Sequence, residues 1–352
     1  MKILHIDIAF VQGGIHNMLV EIMGTQRSLG HDVKLIVLND DINENVFKRI
    51  PLGITAYFIK RPTGSVNPWY VLKLFWIIRK ISPDVIHCHN AVLGKIVRFF
   101  KIPSVLTVHD IGMVTKGCCY FDVTSAISKS VFCDIKKTCY KVNATVVYNG
   151  VDFKPIRFKP HYKENGCKNL IVICRIVHVK KGLDLLLDAL EIMYHKGVKN
   201  WSLDIIGDGP SMQFLIDKVK KNGLESRISF KGEKSKKWIN TNLCLYDAFL
   251  MTSRYEGFGI TVIEAIGAGL EILSSDIDGP AEILENGKYG HMFKSGDIDS
   301  LVSSLTHIIS INHEEKKCTK ENREYIVKKY SIENTTNNYL KIYQKLIHNG
   351  NE

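Results

Sequence analysis

Short apolar strands and amphipathic helices alternate along this chain, and the alternation runs twice. The strand-like segments are rich in Val and Ile and are buried on both faces by pattern, which predicts parallel sheets covered by helices on each side. The fold class expected is therefore α/β, with two similar halves. The predicted strands are KILHIDI, DVKLIVL, ITAYFIK, DVIHCH, PSVLTVH, YFDVTSAIS and ATVVYNG in the first half, and LIVICRI, WSLDIIGDG, RISFKG, AFLMTS and EILSSD in the second. The predicted helices are 17–29, 69–80, 183–196, 211–222, one from Gly259, and 332–348.

A break in this alternation separates the two halves. The segment VDFKPIRFKPHYKENGCKN carries two prolines and many charges without clean periodicity, which is typical of a linker. A chain of 352 residues is also too long for one typical core. We predict a first domain at residues 1–155 and a second at 165–331. Ligands of such sheets bind at the carboxyl ends of the strands, and two facing domains would form a cleft there.

The net charge of +11 favours an anionic partner, such as a phosphorylated substrate, nucleic acid or an anionic membrane surface. A generally lysine-rich composition would explain the same charge. The nine cysteines form no Cys-x-x-Cys pair and no zinc-like cluster, which indicates free thiols in a reducing compartment. The sequence shows no signal-peptide pattern and no apolar run of about 18 residues. We therefore expect a cytoplasmic protein.

The stretch RYEGFGITVIEAIGAG places two carboxylates, Glu256 and Glu264, on either side of a glycine turn. Gly257, Phe258 and Gly259 follow an apparent strand and open a helix, so backbone N–H groups there can approach an anion closely. Carboxylates repel phosphate but accept hydrogen bonds from hydroxyl groups. The combination predicts a ligand that carries both a phosphate and several hydroxyl groups.

Basic residues strengthen the prediction of a phosphate site. Arg175 ends a strand in CRIVHVKKG, and Lys180 and Lys181 precede the next helix, so an arginine and a lysine can clamp a diphosphate. Two solvated surface cations are the alternative. Gly13 and Gly14 also follow a strand, but their segment is neither G-x-G-x-x-G nor a Walker motif. That difference disfavours an NAD-dependent dehydrogenase and an ATPase.

Three side chains are candidates for contacts with a sugar. Glu264 lies in the predicted helix about two turns after Glu256, and its apolar neighbours indicate shielding from water. A carboxylate of this kind can grip two neighbouring ribose hydroxyls, whereas Glu256 is closer to the diphosphate. His109 ends the strand PSVLTVH and can donate to a sugar hydroxyl or its reacting oxygen, although a structural histidine is equally consistent.

The stretch EGFGITVIEAIGAG matches the E-x7-E signature of the retaining glycosyltransferases of family 4, and the chain resembles this family over nearly its whole length. The resemblance is strongest from Leu170 to Phe293. It implies the GT-B fold, in which two Rossmann-like domains face each other across a cleft. It also implies that a closing helix at residues 332–352 packs back on the first domain. Further family-like segments are IIGDGP, ISFKG, YNGVD, DVIHCH and DGPAEILENGKYG.

The resemblance implies a role for each candidate residue. Glu264 would bind the ribose of a nucleotide donor, and Glu256 would lie beside the donor sugar and its phosphate. Either Lys180 or Lys181 would be the basic partner, since the family's usual interval from Arg175 selects Lys180 but Lys181 directly precedes a glycine. The expected catalytic set is Glu256, His109, Arg175 and Lys181. The other donor-binding residues would be Gly13, Gly14, Lys180, Gly257, the amides of Phe258, Gly259 and Ile260, and, around the base, Gly207, Asp208, Glu233 and Lys234.

The implied reaction is a retaining transfer of a sugar from a nucleoside diphosphate sugar, most commonly a UDP-sugar, to a glycan or lipid-linked acceptor. The expected setting is synthesis of bacterial surface polysaccharide or lipopolysaccharide. No cofactor or metal is expected, because cations and N–H donors can stabilise the leaving diphosphate. The Asp-x-Asp triplets at 276–278 and 297–299 are of a kind that is common by chance.

Other functions stay open at this point. A nucleotide-sugar epimerase of the same fold would bind the donor without an acceptor, and a non-catalytic scaffold would bind without turnover. A nucleic-acid binder is disfavoured, because no binding module is recognised and the positive charge is dispersed.

Two aromatic and basic segments in the first half suggest contact with a membrane. NPWYVLKLFWIIRKISPD and GKIVRFFK mix tryptophan and phenylalanine with lysine and arginine. Such a surface would suit an anionic membrane that carries a lipid-linked acceptor. The alternative, equally consistent with the sequence, is that these are helices whose apolar faces cover the sheet of the first domain.

Overall fold

The computed structural model describes residues 1–11, 13–114, 116–159, 168–311 and 314–349. The chain divides into two compact units, Met1–Val151 with Tyr330–Glu352, and Asp152–Lys329, called unit 1 and unit 2 below. The middle of the predicted linker, residues 160–167, lies outside the described residues.

Each unit contains one parallel sheet. The strands of unit 1 are β1 Lys2–Asp7, β2 Asp32–Asn39, β3 Thr55–Arg61, β4 Val85–Cys88, β5 Ser104–Val108, β6 Val123–Ala126 and β7 Ala144–Val146. Those of unit 2 are β8 Lys168–Ile173, β9 Trp201–Ile206, β10 Ile228–Gly232, β11 Ala248–Met251, β12 Glu271–Ser275 and β13 His291–Phe293. The strand orders are β3-β2-β1-β4-β5-β6-β7 and β10-β9-β8-β11-β12-β13, with parallel pairing throughout. Two Rossmann-like parallel sheets confirm the expected α/β class.

Helices connect the strands in both units. Unit 1 has α1 Gly14–Ser28, α2 Glu44–Phe47, α3 Trp69–Ile81, α4 Gly94–Val97 and α5 Lys129–Thr138. Unit 2 has α6 His178–Lys181, α7 Leu183–His195, α8 Met212–Lys221, α9 Lys236–Asn242, α10 Ile260–Ala268, α11 Asp278–Ile283, α12 Ile298–Ser310 and α13 Lys320–Lys329. The closing helix is α14 Ile332–Asn349. None of the helices described is both long enough and apolar enough to cross a membrane.

The closing helix α14 is part of the core of unit 1. Tyr339 and Tyr343 on its buried face pack with Ile3 of β1 and Ile22 of α1 in one apolar cluster. Both tyrosines are at most 1% exposed. Burying large side chains of this kind stabilises the fold by about 1.5–3 kcal/mol each. Helix α14 therefore contributes to the stability of unit 1.

The core of unit 2 lies between its sheet and two helices that pack side by side. Leu186 and Leu190 of α7 and Leu305 of α12 are fully buried, and Trp201 at the start of β9 belongs to the same cluster. This packing fixes the strand ends from which the candidate site is built.

The predicted elements agree with the structure to within a few residues, and the differences have simple causes. The helix predicted at 17–29 begins earlier in the structure, at Gly14. The sequence does not indicate this start, because glycine is a weak helix former. Elements α11, β13, α12 and α13 follow the last predicted strand and have no counterpart among the predicted elements. Helix α13 buries only Ile326, so it has almost no apolar periodicity to detect.

Candidate active site

The glycine turn predicted from EGFG lies between the end of β11 and the start of α10 in unit 2. Gly259 is the residue before the helix and has φ of +107°. A residue with a Cβ rarely adopts that angle, so glycine is required there. The first N–H groups of α10, beginning at Ile260, have no carbonyl partner within the helix. Together with Gly257 and Phe258, this turn can present backbone donors to an anion.

Glu256 precedes this turn and pairs with Lys181 at the end of α6. Lys181 Nζ lies 2.5 Å from Glu256 Oε2, and the two side chains are 16% and 21% exposed. The backbone carbonyl of Lys180 accepts a hydrogen bond from the N–H of Arg254 at 2.8 Å. The contact with Glu256 makes Lys181 a candidate for the basic partner.

Glu264 lies within α10 and is 5% exposed. Its carboxylate accepts a hydrogen bond from Nζ of Lys236, the first residue of α9. The shielding expected from its apolar neighbours is therefore present. The lysine partner was missed, because nothing in the sequence connects two residues on separate helices. Lys234, a candidate for the site of the base, has its ammonium 5.8 Å from the ring centre of Trp238.

A bidentate ion pair joins Arg254, which follows β11, to Asp184 in the first turn of α7. Arg254 donates to both carboxylate oxygens of Asp184, at 2.8 and 2.9 Å, and also to the carbonyl oxygen of His178 at 3.1 Å. Burial alone would raise the pKa of Asp184, but the hydrogen bonds and charge of Arg254 outweigh it and lower that pKa. This pair holds α6, and so Lys181, beside the segment that carries Glu256.

The start of α11 supports the glycine turn from the other side. A Cβ on Gly279 would lie 2.8 Å from the carbonyl oxygen of Glu256 and from the backbone nitrogen and oxygen of Phe258. Real Cβ atoms essentially never come that close to backbone. Gly279 is thus needed for the shape of the turn, and it was not among the candidate residues, although DGPAEILENGKYG contains it.

Arg175 follows β8 and is exposed. Its guanidinium contacts no carboxylate within the described residues, so it can meet an anion from solution. The preceding residue, Cys174, is a free cysteine. Burial raises the pKa of the Cys174 thiol to about 11, so the thiol stays neutral.

The candidates for the base site lie at the ends of β9 and β10. Gly207 approaches the Cys174 carbonyl so closely that a Cβ there would lie 1.9 Å from its oxygen. Asp208 is exposed and caps the N–H of Gly209 at 2.7 Å. Glu233 follows β10 and is also exposed. These strand ends share one edge of the unit 2 sheet with the glycine turn.

Three candidates belong to unit 1. Gly13 and Gly14 lie where β1 passes into α1, and a Cβ on Gly13 would meet nothing within 4 Å. His109 directly follows β5 and is 8% exposed. Its Nε2 lies 3.2 Å from Nδ1 of His89. Burial lowers the pKa of His109 to about 4, so the ring is neutral near pH 7.

One aspartate of each Asp-x-Asp triplet holds a backbone N–H group. Asp276 accepts a hydrogen bond from the N–H of Ser295 at 2.8 Å, and Asp297 caps α12 through the N–H of Ser300 at 3.0 Å. Asp278 opens α11.

Comparison with known proteins gives two family matches that meet near the border of the units. The model described as "Glycosyltransferase Family 4" matches residues 12–154, and that described as "Glycosyl transferases group 1" matches residues 154–325. An uncharacterized glycosyltransferase of Methanocaldococcus jannaschii is 26% identical over 334 residues, covering 90% of this chain and 91% of the relative. Lipopolysaccharide 1,6-galactosyltransferase of Salmonella typhimurium is 25% identical over 249 residues, covering 66% of this chain and 67% of the relative.

Solved structures show the same fold at lower identity. The lipopolysaccharide outer core galactosyltransferase WaaB in its apo form has a TM-score of 0.77 at 21% identity, covering 97% of this chain and 99% of that one. HepE of Anabaena in complex with UDP and glucose has a TM-score of 0.82 at 18% identity, covering 97% and 98%. The two family models, the motif residues and these neighbours agree: the chain belongs to glycosyltransferase family 4 and has the GT-B fold.

Proposed function

We propose that this protein is a retaining glycosyltransferase that moves a sugar from a nucleoside diphosphate sugar, with UDP as the favoured nucleotide, to a glycan or lipid-linked acceptor. One observation carries the proposal. The glycine turn that opens α10 lies between two mostly buried glutamates, Glu256 and Glu264, and each is paired with a lysine. Hydrogen-bond donors for a phosphate and hydrogen-bond acceptors for hydroxyl groups therefore occur within one short segment.

The donor diphosphate is assigned to the turn. The amides of Phe258, Gly259 and Ile260 would donate to its oxygens, with Arg175 and Lys181 supplying positive charge. Cleavage of a sugar–phosphate bond builds negative charge on the leaving diphosphate, and fixed cations and N–H groups stabilise it as it forms. These groups are sufficient in kind, so the proposed reaction uses no metal ion or other cofactor.

The nucleoside is assigned to Glu264. Its carboxylate is shielded from water, and the Lys236 ammonium balances its charge. The carboxylate can accept hydrogen bonds from both ribose hydroxyls. The strand ends at Gly207, Asp208 and Glu233 would flank the base. UDP is favoured because the structural neighbour HepE was solved with UDP and with UDP and glucose. The galactosyltransferase relatives act on lipopolysaccharide by name, and they support a surface glycan as the acceptor.

The surface of α3 supports a lipid-linked acceptor. Leu74, Ile77 and Ile78 on one face of the helix are buried in unit 1. Trp69 and Trp76, which lie two turns apart on another face, are each 64% exposed, and Leu72 between them is 59% exposed. The helix therefore covers the sheet of unit 1 with one face and leaves a second apolar face exposed.

Basic residues border this exposed face. Lys80 places its ammonium 5.3 Å from the ring centre of Trp76, and Arg79 lies 5.1 Å from that of Phe75. Phe99, 80% exposed, has its ring centre 6.4 Å from that of Phe75. Tryptophan rings with basic side chains are suited to the interface of an anionic membrane. We assign this surface, called the α3 surface below, to contact with the cytoplasmic face of such a membrane.

The donor assignment is tested by thermal unfolding with a panel of nucleoside diphosphates and nucleotide sugars. A ligand at 100 times its Kd stabilises a protein by about 2.7 kcal/mol, which raises the Tm measurably. One nucleotide should raise the Tm of the wild type and fail to do so for Glu264→Ala. Glu225→Ala, at an exposed turn position, is the matched control and should respond like the wild type. No shift with any nucleotide in folded protein would contradict the proposal.

Product analysis separates the proposal from its alternatives. A glycosyltransferase releases free nucleoside diphosphate in proportion to added acceptor, whereas an epimerase converts the nucleotide sugar without any acceptor. Binding without either product would indicate a non-catalytic scaffold.

A further inference from the structure

A chain of buried side chains runs through the middle of the unit 1 sheet and ends at His109. Gln26 Oε1 lies 2.8 Å from His5 Nε2, His5 Nδ1 lies 3.2 Å from His89 Nε2, and His89 Nδ1 lies 3.2 Å from His109 Nε2. The histidines belong to β1 and to the ends of β4 and β5, which are neighbours in the sheet. This set, Gln26, His5, His89 and His109, is called the histidine chain below.

Burial keeps every ring of the histidine chain neutral. It lowers the pKa values of His5 and His109 to about 4, and that of His89 well below its usual value. Around His109, the carboxylates of Asp7 and Asp110 raise its pKa, and His16 lowers it, without reversing the effect of burial. His87 and His16 face His89 and lower its pKa further. A neutral imidazole has one N–H donor and one lone-pair acceptor.

The direction of the hydrogen bonds then follows from the first link. In this structure the amide of Gln26 is assigned with its oxygen toward His5. That oxygen can only accept, so the N–H of His5 is on Nε2 and its Nδ1 is an acceptor. His89 must donate from Nε2 to that acceptor, which leaves Nδ1 of His89 to accept from Nε2–H of His109. The chain thereby specifies one tautomer for all three rings.

The last atom of the chain has no partner. Nδ1 of His109 is buried and makes no hydrogen bond to any residue that the structure describes. A buried polar atom without a partner is unfavourable, so a native structure needs a reason to keep one. In the tautomer derived above this atom is a lone-pair acceptor, which fits a hydroxyl group of a ligand.

A metal ion is a poorer explanation of these histidines. Ring nitrogens of His5, His87 and His89 lie within 4.8 Å of one another, and this is the group of possible ligands that the described residues offer. Both nitrogens of His87 are already engaged, Nδ1 with the Tyr343 hydroxyl at 2.5 Å and Nε2 with Oγ1 of Thr107 at 2.7 Å. Those of His5 and His89 form the chain itself, so a metal ion would have to break several existing hydrogen bonds.

We propose that Gln26, His5 and His89 are positioning residues that hold His109 as its Nε2–H tautomer, and that Nδ1 of His109 accepts a hydrogen bond from a hydroxyl group of a sugar substrate. The role of His109 is then that of an acceptor, which replaces the sequence-based expectation of a donor. The identity of the ligand rests on the proposed glycosyltransferase function, whereas the tautomer is a property of the free protein.

The tautomer is measured on the full chain with 15N-labelled histidine, by two-bond 1H–15N correlation, which distinguishes an N–H nitrogen from a lone-pair nitrogen. The His109 resonances are identified by their loss in His109→Gln. We expect a neutral ring with the proton on Nε2 in the wild type and in His195→Gln, an exposed control. A proton on Nδ1 of His109 in the wild type would overturn the proposal without the need for any variant.

Variants test the cause of the tautomer. Gln26→Leu removes the terminal acceptor and leaves the histidines in place, so His109 should become a mixture of tautomers. His89→Leu should do the same, whereas His89→Asn should keep the Nε2–H form, because an asparagine oxygen can accept near the former Nδ1 position. A pure Nε2–H form of His109 in Gln26→Leu, or in His89→Leu if Gln26→Leu does not fold, would show that the chain does not set it.

Binding measurements test the ligand. Gln26→Leu should weaken the affinity for one sugar substrate by the reciprocal of the fraction of His109 that keeps the Nε2–H form, about twofold for an equal mixture. The affinity for the nucleoside diphosphate alone should not change. A loss confined to the nucleotide sugar assigns the hydroxyl to the donor, and one confined to the glycan assigns it to the acceptor. Equal loss for the nucleoside diphosphate, or no loss for either sugar, would overturn the ligand assignment. If the wild type binds no nucleotide, the proposed function fails, and the NMR result still decides the tautomer.

Discussion

Lys181 Nζ lies 2.5 Å from Glu256 Oε2, so each of these mostly buried side chains neutralises the other in the free protein. A donor diphosphate that binds at the glycine turn would compete with Glu256 for this ammonium. Lys181 can therefore change partner as negative charge develops on the leaving group.

Lys181→Met should lower kcat about 10²- to 10³-fold, the usual loss when one group that stabilises a leaving charge is removed. The change also leaves Glu256 without its counter-charge. Initial rates at saturating nucleotide sugar and acceptor measure the effect. Lys180→Met is the matched control and should have a smaller effect. An equal or larger loss in Lys180→Met would assign the role to Lys180 instead.

Lys236→Met should destabilise the protein by about 3–5 kcal/mol, because it leaves the Glu264 carboxylate buried without a positive partner. The two side chains are 16% and 6% exposed, so solvent screens the pair only weakly. Urea unfolding measures the loss as a change in midpoint at constant slope. Lys237→Met, at the exposed next position, should stay within about 0.5 kcal/mol of the wild type. A similarly small effect for Lys236→Met would show that the pair does not stabilise the fold.

The sequence predicts those features of the fold and of the site that depend on neighbouring residues along the chain. The alternation of strands and helices identifies the parallel sheets, and glycines around Phe258 predict the turn that opens α10. The apolar neighbours of Glu264 predict its burial, since they belong to the same helix. Each of these conclusions needs only residues that are close along the chain.

The sequence does not predict contacts that depend on the order of strands in the sheet. Glu264 and Lys236 are 28 positions apart, and Arg254 and Asp184 are 70 positions apart. The link between His5 and His89 spans 84 positions and exists because β4 follows β1 in the sheet. Helix α3 is apolar on two faces, and only the packing of unit 1 shows which of them is buried.

Gly279→Ala should abolish most of the affinity for the nucleotide, because its new Cβ would lie 2.8 Å from the backbone of Glu256 and Phe258 and displace the turn. Gly13→Ala provides the contrast, since a Cβ there meets nothing within 4 Å. It should leave the Tm unchanged and lower turnover, if a ligand phosphate approaches this glycine. Nucleotide titration, Tm and rate are measured for both variants. A large fall in Tm for Gly13→Ala, or unchanged nucleotide affinity for Gly279→Ala, would contradict these assignments.

Trp69→Ser combined with Trp76→Ser should weaken binding to anionic vesicles about tenfold, because two exposed rings of the α3 surface would no longer insert at the interface. Sedimentation with vesicles of phosphatidylglycerol and phosphatidylcholine at low salt measures this. The wild type should bind poorly to vesicles of phosphatidylcholine alone and less well at higher salt. Leu245→Ser, at a position of unit 2 that is 64% exposed, is the control and should bind like the wild type. A wild type that ignores anionic vesicles at low salt would rule out the membrane contact.

The histidine chain should make stability depend on pH in a defined direction. Burial lowers the pKa values of His5 and His109 from 6.5 to about 4, so between these values the unfolded chain binds more protons than the folded one. Their contribution is fully present above pH 6.5 and is lost as the pH falls toward 4. Each ring adds up to about 1.4 kcal/mol of lost stability per pH unit in this window. Urea unfolding at pH 7, 6 and 5 should therefore show a falling free energy of unfolding, with a smaller slope in His5→Gln. His195→Gln, an exposed control, should keep the wild-type slope, and an equal slope in all three proteins would show that these rings are not held neutral.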